Sequence, residues 1–320
     1  MTELGRTGGG PFRRGGPRYA ELHCHSAFSF LDGASQPEDL VAEAARIGLS
    51  GLALTDHDGL YGVVRFAGAA REVGLPTLFG AEVATGRSEP RGGAPDPSGE
   101  HLLVLARDDV GYARLSRALS DAHLAGREKG RLVARLEEFA AGADGRWLVL
   151  TGCRKGGVRT ALAADGPAAA GRALDRLVGL FGRDNVVVEL IDHGDPRDTE
   201  RNDILSRLAE EHRLDIVATN NVHYATPAGY RLAAAMAAVR ARRALDDMDG
   251  WLPPAGTAHL RSPSEMAARF ARYPGAVERA ARIGDECAFE LKLIEPKLPD
   301  FPIPPRHTEA SWLRHLTERG

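Results

Sequence analysis

His23 and His25 stand two residues apart at the end of the apolar run YAELHCH (19–25). Alternate residues of a strand share a face, so the two imidazoles converge, as ligands of one ion must. Similar residues close run after run. LSGLALTDH (49–57) ends in Thr55, Asp56 and His57, with Asp58 next; LPTLFGAEV (75–83) carries Glu82. HLLVLA (101–106) begins with His101, RWLVLTG (146–152) is followed by Cys153, and DIVATNNVHY (215–224) carries Asn221 and His223, again two apart. Imidazole nitrogen, carboxylate oxygen and thiolate sulfur gathered on one rim are the donor set of a polynuclear site for transition metals.

Each residue also has an ordinary explanation. Asp56 or Asp58 could cap a helix, Glu82 could lie on a sheet edge, Cys153 could be a small buried apolar residue and His101 could face solvent. Convergence of several strand ends is what favours metal chemistry over these. His123, His212, His259, His307 and His315 fall on helices or loops away from strand ends and receive no role.

Counting NVVVELID (185–192), the chain offers seven candidate strands. Segments with apolar residues at helical spacing lie between them: 37–49, 61–75, 111–126 and 200–214. Pro37 suits a first helical turn, and Gly48 and Gly74 suit helix ends. Repeated strand-then-helix units predict a mainly parallel α/β sheet covered by helices, open or closed, with seven units favouring a barrel. The carboxyl ends of such strands form the face on which sites are built.

Residues 1–18 have the composition of a disordered Gly/Arg-rich tail. RSEPRGGAPDPSGE (87–100) reads as a Pro/Gly-rich loop and GWLPPAGTAH (250–259) as a linker, so a boundary is expected between about 235 and 260. The barrel then covers 19–235, and 236–320 is a linker with the helical start of something else. The roughly 60 residues after the linker offer Asp285 and Asp300 but no cluster of aspartates that could hold two metal ions.

The 320 residues carry 41 basic and 44 acidic side chains, a formal net charge of -3, so nucleic-acid contact has to be local rather than spread over the surface. No run approaches the roughly 20 apolar residues of a membrane span. A cytoplasmic location without a membrane partner is expected. Cys24, Cys153 and Cys287 form neither a CxxC pair nor a disulfide framework.

LHCHSAFSFLDGA, LALTDHDGLYG, FGAEV, HLLVLAR, LTGC and ATNNVHY resemble, in order, the motifs of the polymerase and histidinol phosphatase (PHP) domain. HSAFSFLDGAS, TDHDGLYGVVRFA and GLPTLFGAE further resemble the bacterial error-prone members of the replicative polymerase alpha-subunit family. The stretch AHLRSPSEMAARFARYPGAVERAARIGDECAFEL is similar to the segment leading into the polymerase palm. The resemblance implies a distorted seven-stranded β/α barrel with two to three divalent ions, zinc, manganese or iron, that hydrolyses phosphoesters. It places the ligands at His23, His25, Asp32, His57, Glu82, His101, Cys153, Asn221 and His223. It also implies a 3′–5′ exonuclease acting on a DNA 3′ end, with the rest of a polymerase core and replication or repair proteins as partners. Arg154, Lys155 and His193 are candidates for steadying a phosphate.

One position departs from the family pattern: active members have aspartate where this chain has Asn221. An amide oxygen can coordinate a metal, but it lacks the charge that holds a cation and tunes bound water. A catalytically inactive scaffold supporting the polymerase core, or binding replication partners, is therefore the competing expectation. A free-standing small-molecule phosphatase is a third, disfavoured by the polymerase-like segment after residue 250. If position 221 faces the ions, Asn221→Asp raises metal affinity and any hydrolysis; an unchanged affinity in a metal-competition titration would place it elsewhere.

Overall fold

The computed structural model describes residues 16–86, 99–248, 256–291 and 301–320. Most of the expected tail and of the 87–100 loop, part of the 250–259 linker, and Asp300 lie outside the described residues. Seven strands form one sheet in chain order: β1 (Ala20–Glu21), β2 (Gly51–Leu54), β3 (Thr77–Thr85), β4 (Glu100–Ala106), β5 (Trp147–Leu150), β6 (Val186–Ile191) and β7 (Ile216–Thr219). Helices α1 (Pro37–Ile47), α2 (Val63–Val73), α3 (Asp109–Gly126), α4 (Leu136–Ala141), α5 (Gly157–Asp165), α6 (Pro167–Phe181) and α7 (Asp198–His212) fall between the strands. After β7 come α8 (Tyr230–Ala241), α9 (Pro263–Arg269), α10 (Ala276–Cys287) and α11 (Glu309–Arg319).

The strands are continuous apolar runs because both faces are covered, and β2, β3, β5 and β6 are buried throughout. Pro37 opens α1, where its missing N–H has no helical partner to lose. Gly48 and Gly74 end α1 and α2 at φ 77° and 68°, a left-handed conformation that a Cβ would strain.

Each end of the sheet meets the other through a parallel bridge between Cys24 and Val222. His25 N–H donates to the Val222 carbonyl at 2.8 Å, and Val222 N–H donates to the His23 carbonyl at 2.8 Å. The α/β barrel is thus nearly closed, and its seam runs through the two histidines.

The sheet is not wholly parallel. β4 runs antiparallel to both β3 and β5, and Thr85 pairs directly with Glu100 across the β3–β4 connection. A parallel neighbour needs a crossover helix, and no element lies between these two strands among the described residues. The reversal brings the first residues of β4 to the rim formed by the carboxyl-terminal parts of the others, which is why His101 begins its strand while His57 and Cys153 follow theirs and Glu82 lies in the second half of β3.

The helical segment expected to lead away from the barrel packs onto it. Leu260, Met266, Phe270, Ala276, Val277, Ala280, Ile283 and Cys287 belong to the same continuous core as the strands. α10 lies across the amino ends of β1 and β3, opposite the rim. A Cβ on Gly284 would come within 2.7 Å of the Ala20 Cβ, and Phe289 N–H donates to the Thr77 carbonyl at 3.2 Å. α11 has no buried residue, and no described helix is long and apolar enough to cross a membrane.

Because Ile283 is fully buried in this core, Ile283→Ala should cost about 2–5 kcal/mol of stability. Denaturant unfolding checks this, and a loss below about 0.5 kcal/mol, the scale of a surface change, would show that α10 is not part of the folding unit.

Candidate metal centre

The rim residues are set by local chain geometry. The end of β2 continues into a bridge between His57 and Glu82, with Glu82 N–H donating to the Asp56 carbonyl at 3.2 Å and Asp58 N–H to the Glu82 carbonyl at 2.9 Å. Leu31, Asp58 and Asn221 adopt positive φ (59°, 56° and 40°). Asp and Asn tolerate this region, whereas leucine does so at greater cost, so strain concentrates immediately before Asp32.

Glu82 is the centre of the cluster. It is 1% exposed. Its Oε2 lies 3.1 Å from His57 Nδ1, 3.1 Å from His101 Nδ1 and 3.5 Å from His25 Nε2. Its Oε1 lies 3.5 Å from His23 Nε2, which in turn is 3.2 Å from His25 Nε2. Cys153 Sγ is 3.6 Å from His101 Nδ1. His57 Nε2–H donates to Asp32 Oδ2 at 2.6 Å, and Asp32 Oδ1 lies 3.7 Å from His223 Nδ1. The ring of His25 stacks between those of His57 and His223, at centroid distances of 4.4 and 4.8 Å.

Two donor sets result, His23/His25/Glu82 and His57/Glu82/His101, and they share Glu82. Ligands bonded at about 2.0–2.2 Å to one tetrahedral ion stand about 3.3 Å apart. The separations of 3.2, 3.5 and 3.5 Å in the first set meet that spacing. The protonation chemistry agrees. His23 Nδ1–H donates to Glu189 Oε1 at 2.8 Å, so in the neutral ring the Nε2 lone pair faces the Glu82 carboxylate and His25 Nε2. Lone pairs facing a carboxylate require a cation between them, either a proton or a metal. Glu82 Oε1 and Asn221 Oδ1 are both buried without a hydrogen-bond partner. The residues fit a centre of borderline divalent ions.

The pKa directions describe the same field. Burial alone pushes His23 down, but Glu189 and Glu82 outweigh it and raise His23 to about 10. Burial, with the neighbouring His57 and His223, holds His25 well below its ordinary value. Burial opposes ionisation of Glu82 and Asp32, yet the histidines around Glu82, and His223, His57 and Arg240 around Asp32, hold both carboxyls well below the usual range. The carboxylates are ready acceptors and His25 a ready lone pair, the state a metal needs.

The remaining phosphate candidates separate. Arg154 is exposed and Lys155 half-buried beside Cys153. His193 Nε2–H donates to the Asn220 carbonyl at 2.6 Å, and burial lowers its pKa to about 4. The neutral ring then has no second N–H for a phosphate, so His193 braces the Asn220 turn. Asp285 forms a surface ion pair with Arg18 at 2.7 Å.

Several functional neighbours escape sequence reasoning. Glu189 orients His23 and accepts from the Thr219 hydroxyl. Glu21 accepts from Tyr19 Oη–H at 2.7 Å, His23 N–H at 2.9 Å and Asn220 N–H at 3.0 Å, tying the first strand to the last; burial raises it to about 7 against those bonds. Asp56 neither caps a helix nor faces the ions: it accepts from Ser26 N–H and from the Ser26 and Ser29 hydroxyls, each at 2.7 Å. Arg159 is a buried guanidinium near Cys153, Asp198 and Glu189. A charge inside an otherwise apolar strand, as in VVVELI, is the sequence signal for Glu189.

Glu189→Gln keeps the shape but removes the charge that fixes the His23 tautomer, and should weaken metal binding roughly 10–100-fold. Competition with a chromogenic chelator measures this, and wild-type affinity would show that Glu189 does not orient a ligand.

The PHP domain family matches residues 21–193, more than half of the chain. The chain is 56% identical over 97% of its length to the error-prone DNA polymerase of Cutibacterium acnes, and 58% identical over 94% to that of Mycobacterium tuberculosis strain H37Rv. It spans only 28% and 27% of those relatives. Among solved structures, an amidohydrolase from Chromobacterium violaceum with bound sulfate is 17% identical, with a TM-score of 0.44 over 64% of this chain and 88% of that one. With the family match covering the rim residues from His23 to Cys153, the chain belongs to the PHP domain family.

Proposed function

We propose that this domain is a metal-dependent phosphoesterase of the 3′–5′ exonuclease type within an error-prone DNA polymerase, acting in the cytoplasm on a DNA 3′ end beside the rest of the polymerase core and other replication or repair proteins. The observation that carries the reading is the pair of donor sets sharing buried Glu82. The extensive identity to error-prone DNA polymerases supports the polymerase context.

Bound divalent ions supply Lewis acidity at a phosphoryl group and lower the pKa of water toward neutrality. His23, His25 and Glu82 would hold one ion and His57, Glu82 and His101 another, with Cys153 beside the second set. Glu189 keeps His23 Nε2 turned toward the centre. Asp32 fixes His57 by accepting a hydrogen bond from its Nε2–H. Exposed Arg154, half-buried Lys155 and buried Arg159 surround Cys153 with positive charge suited to phosphate oxygens.

Asn221 favours the scaffold alternative, because the resemblance puts a carboxylate at this position and an amide carries no charge to hold a cation. A degradation assay separates the two readings. Purified without chelators and supplied with manganese or zinc, the protein should shorten 3′ ends of labelled single-stranded DNA, and His25→Ala should lose both bound metal and shortening. Intact DNA with a metal-filled centre would leave the scaffold, and metal content unchanged by His25→Ala would refute the ligand assignment.

A further inference from the structure

The corner of the rim at Asp32 differs from the rest. Asp32 lies beside His223 there, while His57 Nε2–H braces the other oxygen of Asp32; a carboxylate next to an imidazole is the chemistry of a further cation position. The structure fills that corner with a side chain. Arg240 Nη1–H donates to Asp32 Oδ1 at 2.8 Å, the same oxygen that lies 3.7 Å from His223 Nδ1. The pair is only partly open to solvent, with side-chain exposures of 28% for Arg240 and 17% for Asp32.

Arg240 reaches the rim from α8, which follows the last strand. α8 presents Ala234, Ala238 and Ala241 as its buried residues, and Ala238 and Ala241 form a small cluster with Met248. A guanidinium keeps its charge at every physiological pH, so the cation it supplies is permanent.

We infer that Arg240 is the resident cation of the Asp32–His223 corner: it neutralises Asp32 and keeps a further metal ion out, so the centre takes ions only at the two sets that share Glu82. The argument rests on reading the rim as a metal centre. A second positive charge beside the guanidinium would be repelled, and Asp32 Oδ1 is already committed to an N–H. Neutral Asn221 adds no charge to draw another ion in.

The test is metal stoichiometry. The full chain is stripped, reloaded with excess zinc or manganese, desalted and measured by elemental analysis. Wild type and Arg240→Lys should hold about two ions per chain, while Arg240→Met and Arg240→Gln, which keep the stem and remove the charge, should each gain about one more. About three ions on wild type, or both neutral variants matching wild type at about two, would overturn the role of Arg240 and leave the metal centre standing. No ions on any protein would overturn both the role and the reading beneath it.

Discussion

A carboxylate buried to 1% exposure and ringed by four imidazoles is the feature on which the rest of this structure turns. An unpaired buried charge costs several kcal/mol, so Glu82 persists only where positive charge can come to it. Protons can supply part of that charge, as the raised pKa of His23 shows. They cannot supply it everywhere, because burial and mutual repulsion keep His25 neutral between its stacked neighbours. Divalent ions meet both demands, since they neutralise the carboxylate and accept the lone pairs of neutral rings.

Barrel closure builds the cluster. The bridge between Cys24 and Val222 makes its two hydrogen bonds at His23 and His25, so the barrel cannot close without presenting both rings to its interior. Glu21 reinforces the seam by accepting the Asn220 N–H, and Asp56 gathers the loop after β1 through Ser26 and Ser29. The reversed β4 completes the rim with His101. α10 seals the opposite end through Ile283, Ala280 and Val277, so stability and chemistry are concentrated at opposite ends of one core.

Much of this was legible in the chain. All seven strands were marked by apolar runs, and the HxH spacing announced two imidazoles that converge, whereas Asn221 lies beyond β7 in a left-handed conformation, so strand alternation does not relate it to His223. Other parts depend on contacts that no local pattern encodes. The Pro/Gly-rich stretch after β3 was readable as a loop, but the reversal of β4 follows only when that stretch is recognised as too poor in helix signal to cross the barrel. Packing of α9 and α10 onto the barrel was masked by the linker composition before them. Glu189 hid inside an apolar strand, and Arg240 meets Asp32 across 208 residues of sequence, a distance over which spacing carries no information.

Taken together, the rim joins a shared buried carboxylate to imidazole lone pairs, and it sets a guanidinium against Asp32. The guanidinium offsets negative charge that would otherwise be available to cations. Anomalous diffraction at the zinc or manganese edge, on crystals grown without chelators, tests the central claim most directly. The account predicts peaks bounded by His23, His25 and Glu82 and by His57, Glu82 and His101; ordered crystals grown with added metal but showing no peak between these side chains would contradict it.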